Sequence, residues 1–422
     1  IGGPADGWRD FYAILNFIFG FAYICLMFQR IQVRELVEAA REYPAVVLFG
    51  PRQSGKTTLA KTTFPHLPWI SLEDPDVRQA ALADPRAFLG QIPSGAILDE
   101  IQNAPELLSY LQTILDSSSE RGRFILTGSH QPKLRESVSQ SLAGRIATLE
   151  LLPLSIQELS PASVDDKTVW KLCQQGFYPR LHAEHLSAER FHKSYHATYV
   201  ERDVRVLIQL KDSRRFDTFL RLLAGRVGQI VEYQSLANDV GVSAVTIKDW
   251  IGVLKASYLV IELPPWHSNT RKRLVKSSKI FFTDTGLACH LLGIRDPEHL
   301  WRDPLRGNLF ENLVVADLVK YCLNRGRTPD LHFYRDSNGV EVDLLHTDGR
   351  VVHPIEIKSA STFHPDFTKG LRSFRKAFAS PSGQLLAPGV VLANLDRDFA
   401  FNDGTATDLV RRNGDWAAIL AD

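Results

Sequence analysis

The chain has 422 residues, of which 44% are hydrophobic and 23% charged, and its formal net charge is +1. This composition is typical of a folded protein of several domains and excludes a largely disordered chain. A net charge near zero gives no overall indication of nucleic-acid binding, so any basic surface must be local. The cysteines show no C-x-x-C spacing, which argues against a zinc site or disulfide framework and favours a reducing cytoplasm.

An apolar segment at residues 11–28 comes first, and its length is at the low edge for a membrane-spanning helix. It could be a membrane anchor or an uncleaved signal-like segment. A third interpretation is favoured. Met27 is the only methionine and lies just before residues 29–33, where globular patterning begins, so residues 1–26 could be translated from upstream of the true start. Membrane association is therefore expected only if residues 11–28 are a genuine anchor.

The next feature is the phosphate-binding pattern G-x-x-x-x-G-K-[ST] at residues 50–57. The apolar run 45–49 predicts a buried parallel strand before it, and a helix is predicted from Lys56 until Pro65. A helix start directs unpaired N–H groups at a phosphate, Lys56 adds charge near the β/γ-phosphates, and the Thr57 hydroxyl can bind Mg²⁺. The predicted ATP ligands are Gly50, Pro51, Arg52, Gln53, Ser54, Gly55, Lys56, Thr57 and Thr58.

A second apolar strand, residues 96–98, is followed by Asp99 and Glu100. The carboxyl end of a strand is where ligands bind in open α/β sheets. Asp99 is therefore predicted to hold Mg²⁺, and Glu100 to orient and deprotonate the attacking water.

A helix is predicted over residues 106–115, and a third strand, 124–126, leads to Thr127 and Ser129. Either hydroxyl could contact the γ-phosphate or the lytic water, and the sequence does not choose between them. A hydroxyl that only satisfies a turn is an equally good interpretation of each. A helix over 134–142 and a strand over 146–151 follow, with Arg145 between them.

The middle of the chain, residues 216–264, reads as three helices and a strand, and residues 232–243 resemble the first helix and turn of a helix-turn-helix. Residues 245–254 would be the recognition helix, and strands 259–263 and 279–284 flank a basic segment, 271–276. The recognition helix offers no arginine, asparagine or glutamine to base edges, so sequence-specific reading is not expected. Non-specific DNA contact, and use of the winged helix as a lid or protein contact, are equally good interpretations of this pattern.

The last third contains a helix, 310–319, with Glu311 near its start, and strands 341–345 and 351–358. Alternate side chains of a strand share a face, so Glu356 and Lys358 point together and Asp343 can meet them. Two carboxylates form an oxygen-rich site for Mg²⁺ or Mn²⁺, and a lysine beside it can activate water. The alternatives are a surface ion-pair cluster and a fold that is catalytically silent.

These motifs, with residues 153–159, 176–179 and 199–203, resemble the bacterial and archaeal AAA+ ATPases that carry a C-terminal domain of unassigned function. The match runs from about Met27 to the C-terminus. The resemblance implies an α/β chain: an AAA+ P-loop parallel sheet (27–160), a helical lid and winged helix (161–295), and a restriction-endonuclease-like domain (296–422). It likens Glu311, Asp343, Glu356 and Lys358 to the PD-(D/E)XK nuclease pattern. It also gives Arg145 the place of an arginine finger, which requires a homo-oligomer; a surface arginine or a salt bridge to the lid is an equally good interpretation.

The function predicted from these features is Mg²⁺-dependent ATP hydrolysis coupled to the binding or processing of DNA or RNA. One alternative is a nucleotide-dependent assembly switch whose nuclease-like domain only binds. The other is a metal-dependent nuclease that ATP regulates.

Overall fold

The computed structural model describes residues 28–117, 119–129, 138, 141–159, 166–204, 213–266, 277–336, 339–378, 383–395, 399–402 and 407–412. Several predicted features lie outside these residues. They are nearly all of the apolar segment 11–28, most of the predicted helix 134–142, and the basic segment 271–276.

The chain divides into two compact units. The first comprises Ile1–Leu154, Tyr178–Ser187 and Asn324–Gly326. The second comprises Ser155–Phe177, Ala188–Leu323 and Arg327–Asp422. The domain boundaries predicted at residues 160 and 295 stay predictions.

The first unit is built on a sheet that, in the described residues, has five strands, all parallel, in the order β2-β3-β4-β1-β5. The strands are β1 Ala45–Gly50, β2 Trp69–Ser71, β3 Ala96–Asp99, β4 Phe124–Ser129 and β5 Ile146–Glu150. Strands β1, β3 and β4 are fully buried, as expected for the centre of a parallel sheet covered on both faces. The predicted P-loop sheet is confirmed, and the carboxyl ends of β1, β3 and β4 meet at one edge.

The helices of the first unit flank this sheet. They are Val33–Glu42, Lys56–Thr63, Pro75–Ala83, Pro85–Gly90, Leu107–Asp116 and Pro179–Ala183. The pair between β2 and β3 begins with prolines preceded by capping aspartates: Asp74 accepts from the N–H of Asp76 (2.9 Å) and Asp84 from that of Ala87 (3.0 Å). Proline at the first helical position and aspartate before it are the expected start signals.

The second unit begins with helices Ile156–Leu159, Asp166–Gln175, Ala188–Tyr195 and Ser213–Ala224, with a π-helical stretch at His196–Val204. Helix Tyr233–Val240 then ends at Gly241, which has a φ of 76°, and Ser243 caps helix Ala244–Ala256 through the N–H of Thr246 (3.1 Å). Strands β6 Val260–Leu263 and β7 Lys279–Phe282 follow and pair antiparallel. This order of two helices, a glycine turn and a strand pair agrees with the pattern read from the sequence.

The C-terminal part of the second unit is a mixed sheet, as the predicted α/β class requires. Its described strands run β13-β14-β12-β10-β9-β8, and β11 pairs with β10. They are β8 Leu331–Arg335, β9 Glu341–Asp348, β10 Val351–Lys358, β11 Leu385–Leu386, β12 Val390–Ala393, β13 Phe399–Asn402 and β14 Thr407–Arg412. The neighbouring helices are Thr285–Leu291, Pro297–Arg302, Arg306–Leu323 and Lys369–Ala377.

Within the described residues, no helix combines the length and apolar character needed to cross a bilayer. Cys173, Cys289 and Cys322 are buried and form no disulfide in the part of the chain that the structure describes.

Candidate functional site

The phosphate loop connects β1 to the helix Lys56–Thr63, and its lysine is turned inward. The Lys56 ammonium is buried and donates to the carbonyl oxygens of Gly50 (3.1 Å) and Pro51 (2.8 Å). Burial lowers the pKa of Lys56, while Glu100 and Asp99 oppose that shift. The loop carbonyls thus hold the Lys56 ammonium at the start of the helix Lys56–Thr63.

The hydroxyl of Thr57 meets the predicted magnesium aspartate. Thr57 Oγ1 donates to Asp99 Oδ1 at 2.8 Å, and Thr127 Oγ1 donates to the same carboxylate oxygen. Burial raises the pKa of Asp99, and these two hydroxyl donors oppose the shift. A hydroxyl and a carboxylate at the end of β3 and the start of the helix are the oxygen donors that Mg²⁺ prefers.

Glu100 lies next to this pair in a left-handed backbone conformation, with φ 56° and ψ 50°. Its backbone N–H donates to Thr127 Oγ1 (3.3 Å). Its carboxylate is contacted by the side-chain amide of Gln102, which also donates to Ser129 Oγ at 2.9 Å. A left-handed non-glycine residue is uncommon and is often found where function fixes the backbone. The two hydroxyls left open by the sequence therefore differ: Thr127 contacts Asp99, and Ser129 belongs with Gln102 and Glu100.

A cavity of about 350 Å³ opens beside the loop, within the first unit. Its wall includes Lys56, Thr57 and Glu100, together with Phe28, Arg30, Val33, Leu154, Pro179 and Arg180. A mixed apolar and polar pocket of this size is ordinary for a small-molecule ligand. The apolar part of the wall was missed in the sequence, because residues far apart along the chain supply it.

Arg30 is a second residue that the sequence pattern did not single out. Its guanidinium donates to the carbonyl oxygens of Ser54 (2.9 Å) and Leu152 (2.7 Å), so it joins the phosphate loop to the segment after β5. Only its position before the first helix could have drawn attention to it.

The loop has the features that a phosphate group requires. A Cβ at Gly50 would lie 2.1 Å from the Leu151 carbonyl oxygen, so this position accepts only glycine. Gly55, at φ 95°, is left-handed at the helix start. Ser54 Oγ is buried without a hydrogen-bond partner in the described part of the chain, and a phosphate oxygen would supply one. The residues therefore fit a bound nucleotide phosphate.

Arg145, the predicted arginine finger, is paired within its own chain. Its Nη2 donates to Asp116 Oδ2 at 2.9 Å, and its side chain is 30% exposed. The hydrogen bond from Arg145 lowers the pKa of Asp116. An ion pair with this exposure is weak and can exchange for another partner.

In the second unit, β9 and β10 bring Asp343, Glu356 and Lys358 together. Lys358 Nζ lies 3.2 Å from Asp343 Oδ2 and 3.1 Å from Glu356 Oε1. The backbone N–H of Ile357 donates to Asp343 Oδ2 (2.8 Å). Burial raises the pKa of Glu356 to about 8.

Glu311 belongs to the same cluster but has its own cation. It pairs at 3.1 Å with Lys279, which also lies 2.9 Å from Glu341. Burial raises the pKa of Glu311 to about 7. Burial opposes the charged form of Lys279, yet Glu311, Asp343 and Glu341 outweigh it and raise its pKa. Among the described residues, no group of three or more histidine, cysteine, aspartate or glutamate side chains could hold a metal ion.

Three family models match successive parts of the chain. A family model described as an AAA domain matches residues 42–160. Models of two domains of unknown function, DUF8612 and DUF4143, match residues 166–298 and 306–410.

Two curated relatives are similar to most of the chain. They are the uncharacterized proteins Rv2008c of Mycobacterium tuberculosis and Mb2031c of Mycobacterium bovis. Each is 31% identical over 356 residues, which cover 83% of this chain and 78% of the relative.

Two solved structures are more distantly similar. The Walker-type ATPase paby2304 of Pyrococcus abyssi matches with a TM-score of 0.38 and 15% identity, over 63% of this chain and 95% of that one. AMPPCP-bound DnaA from Aquifex aeolicus matches with a TM-score of 0.25 and 15% identity, over 53% of this chain and 85% of that one.

Proposed function

The chain carries an AAA domain of the P-loop ATPase type and belongs to the same family as the uncharacterized proteins Rv2008c and Mb2031c, and on this premise we propose that it binds ATP with Mg²⁺ and hydrolyses it. One observation carries the proposal. Thr57, which lines the pocket with Lys56 and Glu100, donates to Asp99, and Thr127 donates to the same carboxylate oxygen of Asp99.

Each side chain has a role that follows from its contacts. The loop N–H groups and the Ser54 hydroxyl donate hydrogen bonds to the phosphate oxygens, and Lys56 exchanges its bonds to the loop carbonyls for bonds to a phosphate. Thr57 and Asp99 would hold Mg²⁺, which neutralises phosphate charge when bound. Glu100 takes the proton of the attacking water.

The side-chain amide of Gln102 bridges Glu100 and Ser129. We assign Ser129 and Gln102 to the orientation of Glu100, and Thr127 to the orientation of Asp99. These assignments turn the choice left open by the sequence into two separate roles.

Lys56→Ala is expected to abolish ATP turnover, because it removes the buried ammonium that the loop would direct at the phosphates. The measurement is steady-state ATPase rate, with ATP affinity from titration of a fluorescent analogue. Lys61→Ala is the matched control: it changes a lysine of the same helix that packs over Trp69 (4.1 Å) outside the pocket. Unchanged turnover in Lys56→Ala would refute the assignment.

An oligomer completed by Arg145 is also proposed, since the guanidinium is partly exposed and is held by an exposed aspartate, Asp116, and by the carbonyl oxygen of Ala143 (3.0 Å) two residues before it. Arg145→Ala and Glu100→Gln chains, each inactive alone, are expected to regain turnover when mixed, as a finger acting between subunits requires. Asp116→Ala breaks the same ion pair but keeps the arginine, and it should leave turnover intact. If mixing restores nothing, Arg145 does not act in trans.

Coupling to nucleic acid rests on the helix pair Tyr233–Val240 and Ala244–Ala256 and on strands β6 and β7, which we propose form a winged helix. The exposed face of the second helix carries Val245, Lys248 and Asp249, a weakly charged surface. That surface offers little to a phosphate backbone, so non-specific contact would depend on the basic segment 271–276.

The second candidate is a nucleotide-dependent switch with a silent nuclease-like domain, and the lysine pairs of the C-terminal cluster favour it. Adding DNA or RNA oligonucleotides to the ATPase assay separates the two: stimulated turnover supports coupling, and a slow rate that does not respond supports the switch. A metal-dependent nuclease using Asp343, Glu356 and Lys358 is the third and weakest. The three cysteines that the structure describes are buried without a disulfide, which supports the reducing cytoplasm expected from the sequence.

A further inference from the structure

Lys279 enters the C-terminal acid cluster from outside the sheet that carries it. It is the first residue of β7, the second strand of the proposed winged helix, and its side chain is only 5% exposed. Its ammonium lies 3.1 Å from Glu311 Oε1 on the helix Arg306–Leu323 and 2.9 Å from Glu341 Oε1 on β9. A lysine this buried is stable only when it is paired, so these contacts define its environment.

Lys358, the last residue of β10, pairs with the other two acids of the cluster. Its ammonium lies between Asp343 Oδ2 and Glu356 Oε1, at 3.2 and 3.1 Å. Each lysine thus contacts two carboxylates: Lys279 contacts Glu311 and Glu341, and Lys358 contacts Asp343 and Glu356. Every acid that the sequence proposed as a metal ligand therefore already has an ammonium partner.

Backbone also lies against one carboxylate oxygen of each buried glutamate, Glu311 and Glu356. A Cβ built at Gly228 would lie 3.1 Å from Glu311 Oε2, and one built at Gly370 would lie 2.9 Å from Glu356 Oε1. Backbone thus closes against both glutamates. A hydrated Mg²⁺ needs six oxygens at about 2.0–2.1 Å with several waters among them. The donor set and the space do not fit such an ion.

We propose that Lys279 is a built-in counter-cation that takes the place of a divalent metal in this cluster and joins strand β7 to the helix Arg306–Leu323 and strand β9. The C-terminal part of the chain is then a metal-independent module, held by charge pairs rather than by an ion. This inference does not depend on ATP hydrolysis, so either proposal can fail while the other stands.

The decisive measurement is Mn²⁺ binding by electron paramagnetic resonance, without nucleotide, on the full chain. Wild type and Asp343→Asn are expected to bind the same amount of Mn²⁺ up to millimolar concentration, because the cluster binds none. The proposal is overturned if wild type binds an ion that Asp343→Asn and Glu356→Gln both lose. Cleavage of DNA or RNA in Mn²⁺ that is lost in Asp343→Ala would overturn it as well.

The second measurement is a double-mutant cycle on thermal unfolding. Lys279→Met alone should lower Tm by on the order of 10 °C, because it leaves buried carboxylates unpaired, and adding Glu311→Gln should recover part of that loss. The pair Lys255–Glu262, 2.7 Å apart and more exposed, is the control and should show little coupling. Absence of coupling between Lys279 and Glu311 would overturn the proposal.

Discussion

Replacing Glu100 by glutamine is expected to lower the kcat of ATP hydrolysis by about 10²–10⁴-fold and to leave ATP affinity nearly unchanged. The amide keeps the shape of the side chain and can still pair with Gln102, but it cannot take a proton from water. The measurement is kcat by a coupled assay, with affinity from the fluorescent analogue. Turnover close to that of wild type would show that another group is the base.

Two companion variants separate the neighbouring hydroxyls. Ser129→Ala removes the partner of Gln102, so kcat should fall by about tenfold at an unchanged Mg²⁺ requirement. Thr127→Val removes one of the two hydroxyl donors to Asp99, so the Mg²⁺ concentration for half-maximal turnover should rise. If the two variants behave alike, the separate roles assigned to these residues are wrong.

Asp284→Ala is expected to lower the free energy of unfolding of the second unit by about 3–5 kcal/mol. This aspartate is 1% exposed and accepts hydrogen bonds from the backbone N–H groups of Phe177 (2.6 Å) and Leu287 (3.1 Å). His192 lies 3.8 Å from the same carboxylate. Removing the acceptor leaves two buried donors without a partner, which urea unfolding of the full chain would register.

Asp296→Ala is the matched control for that prediction. Asp296 also caps a helix, accepting from the N–H of His299 at 2.8 Å, but it is exposed, so water can replace it. We expect a loss of about 1 kcal/mol. Equal losses in the two variants would mean that burial of Asp284 contributes nothing.

Asp284 also explains a motif whose meaning the sequence did not reveal. Gly176, at φ 80°, lies so close that a Cβ there would be 2.2 Å from Asp284 Oδ1. The glycine of the segment 176–179 is thus required by an aspartate more than a hundred residues away. No local pattern records such a contact.

The sequence by itself determined the phosphate loop, the acids after β3, and the presence of a sheet edge where they meet. These depend on short-range signals: an apolar strand, glycines at a tight turn, and a helix start. Alternation along β10 likewise predicted that Glu356 and Lys358 share a face, because strand geometry has a period of two residues. Gln102 could have been noticed as a polar residue two places after Glu100, but spacing alone assigns it no partner.

Only the tertiary structure decided what these residues face. The sequence offered no reason to prefer Thr127 or Ser129. The structure distinguishes them, because Thr127 contacts Asp99 and Ser129 contacts Gln102. Lys279 looked like the start of an ordinary strand, yet packing brings it between Glu311 and Glu341. A side chain's charge is written in the sequence, whereas its burial and its counter-ion arise from long-range packing. For this reason Glu311, Asp343 and Glu356 suggest a metal site in the sequence but form a lysine-paired cluster in the folded chain.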